Sequence, residues 1–231
     1  MTHSTLYLVR HGQSQTNAGG ITLENPLVPL TELGAQQAQA VAALLPAAAH
    51  KVWSSPFKRA LDTAAPYCAL VEQVPAIHDD LREFEMIDTT QLRGSAVAER
   101  EAAMARYWLA SDPDHRAGPA AETFREFHDR VARVRGEFLP DVAPGSVIFG
   151  HGIWMALLFW QILGFETVDG AAMARFRRFQ LGFPTPNTAV YRLTHVAPGK
   201  WDVKADEGAM RAIAALSEAS RKTPWSASAR T

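Results

Sequence analysis

The sequence predicts an α/β protein built around a mostly parallel sheet. Short apolar, strand-like runs alternate along the chain with longer segments of helical periodicity, which is typical of that class. The chain has 231 residues, enough for one sizeable α/β domain. Its contents of 47% hydrophobic and 20% charged residues are ordinary for a globular protein with a substantial core.

The first half of the chain contains five predicted elements. In order they are a strand at 5–9, a helix at 29–45, a strand at 51–55, a helix at 56–70 and a third strand within 71–78. Thr31 is a favourable N-cap for the first helix. Pro56 suits the first position of the second helix, with Ser55 as its cap. Strands that alternate with helices in this way favour parallel pairing.

The pattern weakens in the middle of the chain and becomes regular again after it. Residues 84–121 are expected to form a loosely structured excursion. The helix that follows has five apolar residues at intervals of three and four: Phe124, Phe127, Val131, Val134 and Phe138. The later predictions are a strand at 145–150, a helix at 153–164 and a terminal strand pair at 187–193 and 200–205. We therefore expect one domain over 1–216 and a flexible polar tail at 217–231.

Charge and cysteine content narrow the class of protein. A formal net charge of -1 argues against a general binder of nucleic acid or anionic membranes. Cys68 is the only cysteine, so an internal disulfide is excluded and a cytoplasmic location is expected. No apolar run reaches the roughly 18 residues of a membrane span, and no signal peptide is expected. The sequence leaves oligomeric state open, with a homodimer as one option.

Two of the predicted strands end in the same way. The runs TLYLVRHG and SVIFGHG each pass from a short apolar strand into a His-Gly pair, at His11 and His151. Because ligands bind where the carboxyl ends of parallel strands meet, both histidines are expected in one cleft. Arg10 precedes the first histidine, and Arg59 lies in the first turn of the helix after another strand. Guanidinium groups bind phosphate oxygens bidentately, so this set favours a phosphate ligand.

Six segments resemble a known family. They are LVRHGQSQTN, SSPFKRALDTA, LREF, ETFREFHDRV, FGHG and PNTAVYRL. Their order and approximate spacing, from Thr5 to about Leu193, are similar to those of the histidine phosphatase superfamily, the phosphoglycerate-mutase-like proteins. The resemblance implies a three-layer α/β/α sandwich with a mostly parallel central sheet. It also implies chemistry that needs neither a metal nor another cofactor.

The resemblance implies a role for each residue of the cleft. His11 would be the nucleophile that forms a phosphohistidine, and the nearby cations should keep it neutral. Arg10, Arg59 and a protonated His151 would hold the phosphoryl oxygens. Three further positions are assigned to substrate binding: Gly12, Asn17 and Gly152.

The proton for the leaving oxygen is expected to come from a carboxyl group. In the family this group lies in a Leu-x-Glu segment, which is DLREFEM here and indicates Glu83. Glu85 is the competitor two residues later, and Asp80 is more remote. A carboxyl group beside a dianionic phosphate should have a raised pKa, which suits an acid. The Phe-Gly and aromatic-Glu-Gly turns of many relatives are replaced by EFEMIDTTQLRG, which leaves the placement of the acid open. Glu122 and Thr123 begin the next helix where relatives often have Glu-Ser near the site.

Three activities fit these residues: a phosphomonoester hydrolase acting on a small phosphorylated metabolite, a mutase-type phosphotransferase, and a phospholigand-binding module without catalysis. Phosphoglycerate mutases carry an adjacent arginine pair in their inserted segment, whereas no two arginines at 84–121 are adjacent, which favours hydrolysis. A metal site is disfavoured because the sequence has no His-x-His or HExxH motif and the arginines would repel a cation. The expected walls of the pocket, 18–30 and 84–121, do not indicate which substrate binds.

Overall fold

A computed structural model describes residues 4–183 and 185–222, without the side chains of 219–222. The strands of these residues are β1 Ser4–Arg10, β2 Val52–Ser54, β3 Ala76–Ile77, β4 Val147–Gly150, β5 Val190–Ala197 and β6 Lys200–Ala205. They form one sheet in the order β3-β2-β4-β1-β5-β6. The first four strands of this order pair in parallel, and β5 and β6 add antiparallel strands beside β1. The predicted mostly parallel sheet is confirmed.

The α-helices of the described residues are α1 Glu32–Ala42, α2 Lys58–Leu70, α3 Val97–Ala110, α4 Phe124–Arg133, α5 Gly152–Ile162, α6 Gly170–Gly182 and α7 Glu207–Lys222. Thr31 caps α1, as predicted, by accepting a hydrogen bond from the Gly34 N–H. The α4 helix continues into a π-helical turn at Val134–Phe138.

The sheet separates two apolar cores. Successive strand residues face opposite sides of a sheet, so Leu8 and Ile148 enter one core whereas Val9 and Phe149 enter the other. Helices α3 to α6 contribute to the first core, and α1, α2 and α7 contribute to the second. This arrangement is the three-layer α/β/α sandwich that the family resemblance implied.

Three helices of the described residues, α3, α6 and α7, lie outside the predicted pattern. The 84–121 segment is less loose than expected, because it contains α3, whose Tyr107 and Trp108 are buried in the first core. The α6 helix has no predicted counterpart in the sequence. Only three of its residues are buried, namely Ala172, Met173 and Phe176, so its apolar periodicity is weak.

The C-terminal helix crosses the predicted start of the tail. Helix α7 runs through residue 217 to Lys222, and Ala209 and Ile213 are buried in the second core. The Gln37 side chain of α1 donates a hydrogen bond to Ser217 Oγ at 3.0 Å. These contacts anchor residues that polarity alone assigned to a tail. The rest of the predicted tail, 223–231, lies outside the described residues.

Candidate active site

The carboxyl ends of three neighbouring strands converge at one edge of the sheet. The His11 N–H, just after β1, donates to the Gly150 carbonyl of β4 at 3.0 Å, and the Ser55 N–H, just after β2, donates to the Phe149 carbonyl at 3.0 Å. The His11 and His151 rings are therefore close, with centroids 5.2 Å apart. The structure brings together the two histidines that the repeated strand-His-Gly pattern predicted.

His11 is buried and presents one ring nitrogen as a lone pair. Its Nδ1 lies 2.7 Å from the Gly12 carbonyl oxygen, which can only accept a hydrogen bond, so Nδ1 carries the proton. Its Nε2 accepts a hydrogen bond from Arg59 Nε at 3.2 Å, so Nε2 carries the lone pair. Burial, reinforced by the Arg59 and Arg10 cations, holds the pKa of His11 well below its ordinary value of 6.5. The ring is thus neutral and has a nucleophilic nitrogen at neutral pH.

Arg10 and Arg59 are held by neutral acceptors. Arg10 Nη1 donates to the Thr185 carbonyl, and its buried Nε has no hydrogen-bond partner within the described residues. Arg59 Nη1 donates to the Asn25 carbonyl at 2.7 Å. Burial lowers the pKa of Arg59 to about 10, an effect that Glu83 opposes and Arg10 reinforces. Both side chains remain cations at neutral pH beside the His11 ring.

His151 is fully buried and is held from one side only. Its Nε2 lies 2.7 Å from Ser55 Oγ, and its Nδ1 has no partner within the described residues. Burial first, and then the cations around it, hold the pKa of His151 well below 6.5. The expectation of a protonated His151 therefore does not describe the ligand-free pocket, where the ring is neutral.

Ser55 has a different role from the predicted helix cap. Helix α2 begins at Lys58 rather than at Pro56, with Phe57 as its N-cap residue. Ser55 Oγ accepts a hydrogen bond from the Phe57 N–H at 3.2 Å and contacts His151. The later start of the helix leaves the serine hydroxyl free to position a histidine of the site.

The Glu83 carboxylate lies at the N-terminus of α5. Its Oε1 accepts hydrogen bonds from the N–H groups of Phe84 and Trp154, both at 2.9 Å, and its Oε2 accepts from the Ile153 N–H at 3.1 Å. The first turn of a helix has free N–H groups and a positive dipole end, which together stabilise a carboxylate. Glu83 is therefore fixed beside the same helix that begins after His151.

Glu85 lies in the same pocket in a different environment. Its nearest cation is Arg82, whose Nε lies 3.8 Å from Glu85 Oε2. Burial raises the pKa of Glu85, and the Glu122 carboxylate adds to this effect against the opposing cations Arg82, Arg130 and Arg59. Glu85, the competing candidate, therefore has the raised pKa expected of a proton donor.

A buried ion pair fixes the segment that carries both carboxylates. Arg130 of α4 donates two hydrogen bonds to the Glu122 carboxylate, at 2.8 and 2.6 Å. Its Nη1 donates to the carbonyls of Asp80 and Arg82, both at 2.9 Å. Glu122 therefore acts on the site through Arg130. Thr123 instead caps α4 by accepting from the Glu126 N–H at 3.1 Å.

The two predicted glycines are required by close packing. A Cβ atom at Gly12 would lie 2.5 Å from the Gly34 carbonyl oxygen of α1, and one at Gly152 would lie 3.0 Å from Arg10 Nε. The Gly12 N–H is used by Thr63 Oγ1 at 3.0 Å. Packing thus accounts for Gly12, and its contact with a ligand stays a prediction.

We expect Gly12→Ala to lower the free energy of unfolding by about 1–3 kcal/mol, because the clashing atom belongs to backbone that cannot move aside easily. Denaturant unfolding would measure this change. Gly136→Ala is the matched control, since a Cβ there meets nothing within 4 Å. Equal stability of Gly12→Ala and the wild type would contradict the packing explanation.

Asn17 lies at the exposed rim of the pocket. Its Oδ1 accepts a hydrogen bond from Asn187 Nδ2 at 3.1 Å, and the same Nδ2 donates to the His11 carbonyl at 3.1 Å. Asn187 belongs to the PNTAVYRL segment, whose resemblance to the family assigned it no role. It connects the Asn17 loop to the backbone of the proposed nucleophile.

A cavity of about 310 Å³ opens beside His11. Its polar wall includes Arg10, His11, Arg59, Glu83 and Glu85, and its apolar wall includes Phe84, Met86, Met104 and Ile153. Arg100, Arg177 and Gln180 also line it. Among residues 4–183 and 185–222, no cluster of three or more His, Cys, Asp and Glu side chains could hold a metal ion. No helix in this part of the chain is long and apolar enough to span a membrane.

Four contributors were not predicted from the sequence: Ser55, Arg130, Arg177 and Asn187. Ser55, Arg130 and Asn187 belong to segments that resemble the family, which is a signal that could have found them. Arg130 has i,i+8 spacing from Glu122, a pair that α4 and its preceding residue bring together only in the folded chain. Arg177 lies on a helix that the sequence pattern does not predict.

The chain belongs to the histidine phosphatase superfamily, branch 1, whose sequence profile matches residues 6–207. A Schizosaccharomyces pombe protein named as a phosphatase is 36% identical over 112 residues, which are 48% of this chain and 50% of that protein. The match therefore spans only half the length of that relative. A Hydrogenobacter thermophilus protein named as a phosphoserine phosphatase is 31% identical over 152 residues, 64% of this chain and 72% of its own length.

Solved structures show the same fold. A mycobacterial glucosyl-3-phosphoglycerate phosphatase superimposes with a TM-score of 0.63 at 23% identity, covering 88% of this chain and 98% of the other. At this identity the likeness establishes the architecture alone. Together with the family match, it confirms the fold and the family that the sequence segments indicated.

Proposed function

We propose that this protein is a phosphomonoester hydrolase that acts through a phosphohistidine on a small phosphorylated metabolite. The observation that carries the proposal is the lone pair of His11 Nε2, held in place by the Nδ1–Gly12 hydrogen bond and flanked by two buried arginines. A neutral imidazole fixed in this way is an activated nucleophile. The cations beside it would stabilise the charge on a phosphoryl group during transfer.

The proposed reaction has two displacements. His11 Nε2 attacks phosphorus, the bond from phosphorus to the ester oxygen breaks, and a carboxyl group protonates that oxygen. Water then attacks the phosphohistidine, the phosphorus–nitrogen bond breaks, and the carboxylate takes the proton that the water loses. The products are an alcohol and inorganic phosphate. The covalent intermediate splits one difficult displacement into two easier ones.

His151 would gain its proton only when phosphate is present. A dianion beside the ring favours the imidazolium form, which opposes the effect of burial. The ring could then donate from Nδ1, which has no partner within the described residues, while Nε2 keeps its contact with Ser55. We propose that His151 is neutral in the free enzyme and becomes a donor to the phosphoryl group on binding.

We retain Glu83 as the proposed proton donor because it lines the cavity together with Arg10 and His11 and is fixed at the start of α5, the helix that begins after His151. Glu85 has the raised pKa, and this supports it as a real alternative. A phosphate dianion near Glu83 would oppose its ionised form and so favour the protonation that the reaction requires. Comparison of the Glu83→Gln and Glu85→Gln variants distinguishes the two carboxylates.

The cavity supports a small substrate. A volume of about 310 Å³ is at the lower end of the range for ligand pockets. Relatives named for phosphoserine and glucosyl-3-phosphoglycerate point to compact phosphorylated metabolites. The single buried Cys68 is consistent with a cytoplasmic location, which we propose for the enzyme.

Hydrolysis of p-nitrophenyl phosphate in the presence of EDTA tests the proposal. We expect sustained release of p-nitrophenol and inorganic phosphate in equal amounts, with no loss of rate when the chelator is added. Conversion of 3-phosphoglycerate to its 2-isomer without phosphate release would instead support a mutase. No turnover across a panel of phosphomonoesters would support a phospholigand-binding module.

A further inference from the structure

Arg177 places a further cation in the pocket, in addition to Arg10, Arg59 and Arg100. It lies on α6, which packs against α3 and against α5, the helix that begins after His151. Its side chain lines the same cavity as His11, together with Gln180 one turn later on the same face of α6. A small molecule in this cavity can therefore contact Arg177 as well as the cations Arg10 and Arg59 that flank His11.

The charge of Arg177 is not matched by a carboxylate. Within the part of the chain that the structure describes, Arg177 forms no ion pair, and Nη1 donates to the amide oxygen of Gln180. The contrast is Arg130, which is paired with Glu122 through two hydrogen bonds. The two acidic residues of the cavity are engaged elsewhere, Glu83 by backbone N–H groups and Glu85 nearest to Arg82.

The Arg177 guanidinium is also held in position. Its Cζ lies 5.0 Å from the centre of the Trp108 ring of α3, a distance at which a cation is attracted to an indole face. Partial burial lowers the pKa of Arg177, which reflects a cation that has lost water without gaining an anion. Trp108 and Gln180 thus act as positioning residues for a charge that faces the cavity.

We propose that Arg177 binds a carboxylate of the substrate, whose phosphoryl group lies at His11. This inference rests on the proposed phosphatase function and specifies its substrate class as small phosphomonoesters that carry a carboxylate. A guanidinium fork fits a planar carboxylate bidentately. The Gln180 amide nitrogen can add a third donor, because its oxygen already accepts from Arg177.

A carboxylate fits this region better than a second phosphate does. The phosphoryl end has two arginines, Arg10 and Arg59, for a dianion. The rest of the cavity offers the single charge of Arg177, because Arg100, which also lines it, is occupied by the Gly20 and Thr16 carbonyls and by Thr22 Oγ1. One cation and one amide match one negative charge.

The test compares substrates that differ only in the carboxylate. The pairs are O-phosphoserine with phosphoethanolamine, and 3-phosphoglycerate with glycerol 3-phosphate. We expect the wild type to have the higher kcat/KM for the carboxylated member of each pair. In Arg177→Gln this ratio should fall by about 10- to 100-fold, the effect of losing a charge-assisted bidentate contact. Most of the change should be in KM, because the contact is made away from the reacting atoms.

Arg178→Gln is the matched control, since it removes the same charge from an exposed position of the same helix. Its substrate ratio should equal that of the wild type. Arg177→Lys keeps the charge without the planar fork and should show an intermediate ratio, which also covers the case of a poorly folded glutamine variant.

The outcomes separate this inference from the function on which it rests. No hydrolysis of p-nitrophenyl phosphate by the wild type would refute the proposed function itself. Hydrolysis with equal kcat/KM for both members of each pair would overturn the carboxylate assignment alone. So would a ratio that Arg177→Gln leaves unchanged, or a preference for fructose 1,6-bisphosphate over the carboxylated substrates.

Discussion

Replacing His11 with alanine is expected to reduce kcat for p-nitrophenyl phosphate by on the order of 10⁴-fold or more, the loss typical of removing a covalent nucleophile. The substitution removes Nε2, whose lone pair accepts a hydrogen bond from Arg59 Nε at 3.2 Å. His151 Nε2 is not free to take its place, since it lies 2.7 Å from Ser55 Oγ. Steady-state rates give the kinetic loss, and a reaction with ³²P-labelled substrate quenched in alkaline detergent gives the phosphoenzyme.

The labelling experiment decides the assignment. A phosphohistidine is acid-labile and stable to base, so label that survives base but not acid in the wild type identifies it. His128→Ala is a suitable control, because His128 is also a buried histidine but does not line the cavity. If His11→Ala still forms the labelled intermediate, another residue is the nucleophile.

Glu83→Gln is expected to slow hydrolysis of glycerol 2-phosphate by about 10²- to 10⁴-fold, the usual contribution of a general acid. Its effect on p-nitrophenyl phosphate should be under about 10-fold, because p-nitrophenolate leaves without needing a proton. The reason is that the amide cannot supply the proton that an alkoxide requires. The ratio of kcat/KM values for the two substrates is the quantity to measure.

Glu85→Gln is the direct comparison for this variant. If Glu83 is the donor, Glu85→Gln should change both substrates by a similar small factor. A selective loss on glycerol 2-phosphate in Glu85→Gln alone would transfer the role to Glu85, whose pKa is raised by burial. Because an amide at position 83 would place an NH₂ group against backbone N–H donors of Phe84, Ile153 or Trp154, thermal stability should be recorded for both variants. An equal loss on both substrates with lowered stability would indicate a structural effect.

The strands, and the functional residues at their ends, could be predicted from the sequence because both depend on local patterns. The strand-His-Gly pattern places His11 and His151 at the carboxyl ends of two strands. Parallel strands have their carboxyl ends at the same edge of the sheet, so the two histidines lie close together. Helices α3 and α6 were harder to predict, because each buries only three residues and exposed apolar residues such as Leu109 and Leu181 obscure the apolar face. The start of α7 near residue 207 and its passage through 217 depend on contacts with α1, which a polarity pattern does not contain.

The site shows the same division. The histidines and arginines of the site could be predicted from residue type, since few other side chains can bind and attack a phosphoryl group. Which carboxylate donates the proton, and which arginine has no ion pair, depends on distances in the folded chain that cannot be predicted from the sequence. Glu83 is engaged by the N-terminus of α5, and Arg177 faces Trp108, only because separate helices pack together.

The cluster of cations around the two neutral histidines also has a consequence for folding. Arg10 and Arg59 are buried with no carboxylate partner among the described residues, which opposes the native state, since each loses hydration that neutral carbonyls replace only in part. An anion that binds the folded chain and not the unfolded one shifts the folding equilibrium towards the native state by mass action. Inorganic phosphate, the product of the proposed reaction, would act in this way, so occupancy of the pocket and persistence of the fold are thermodynamically linked.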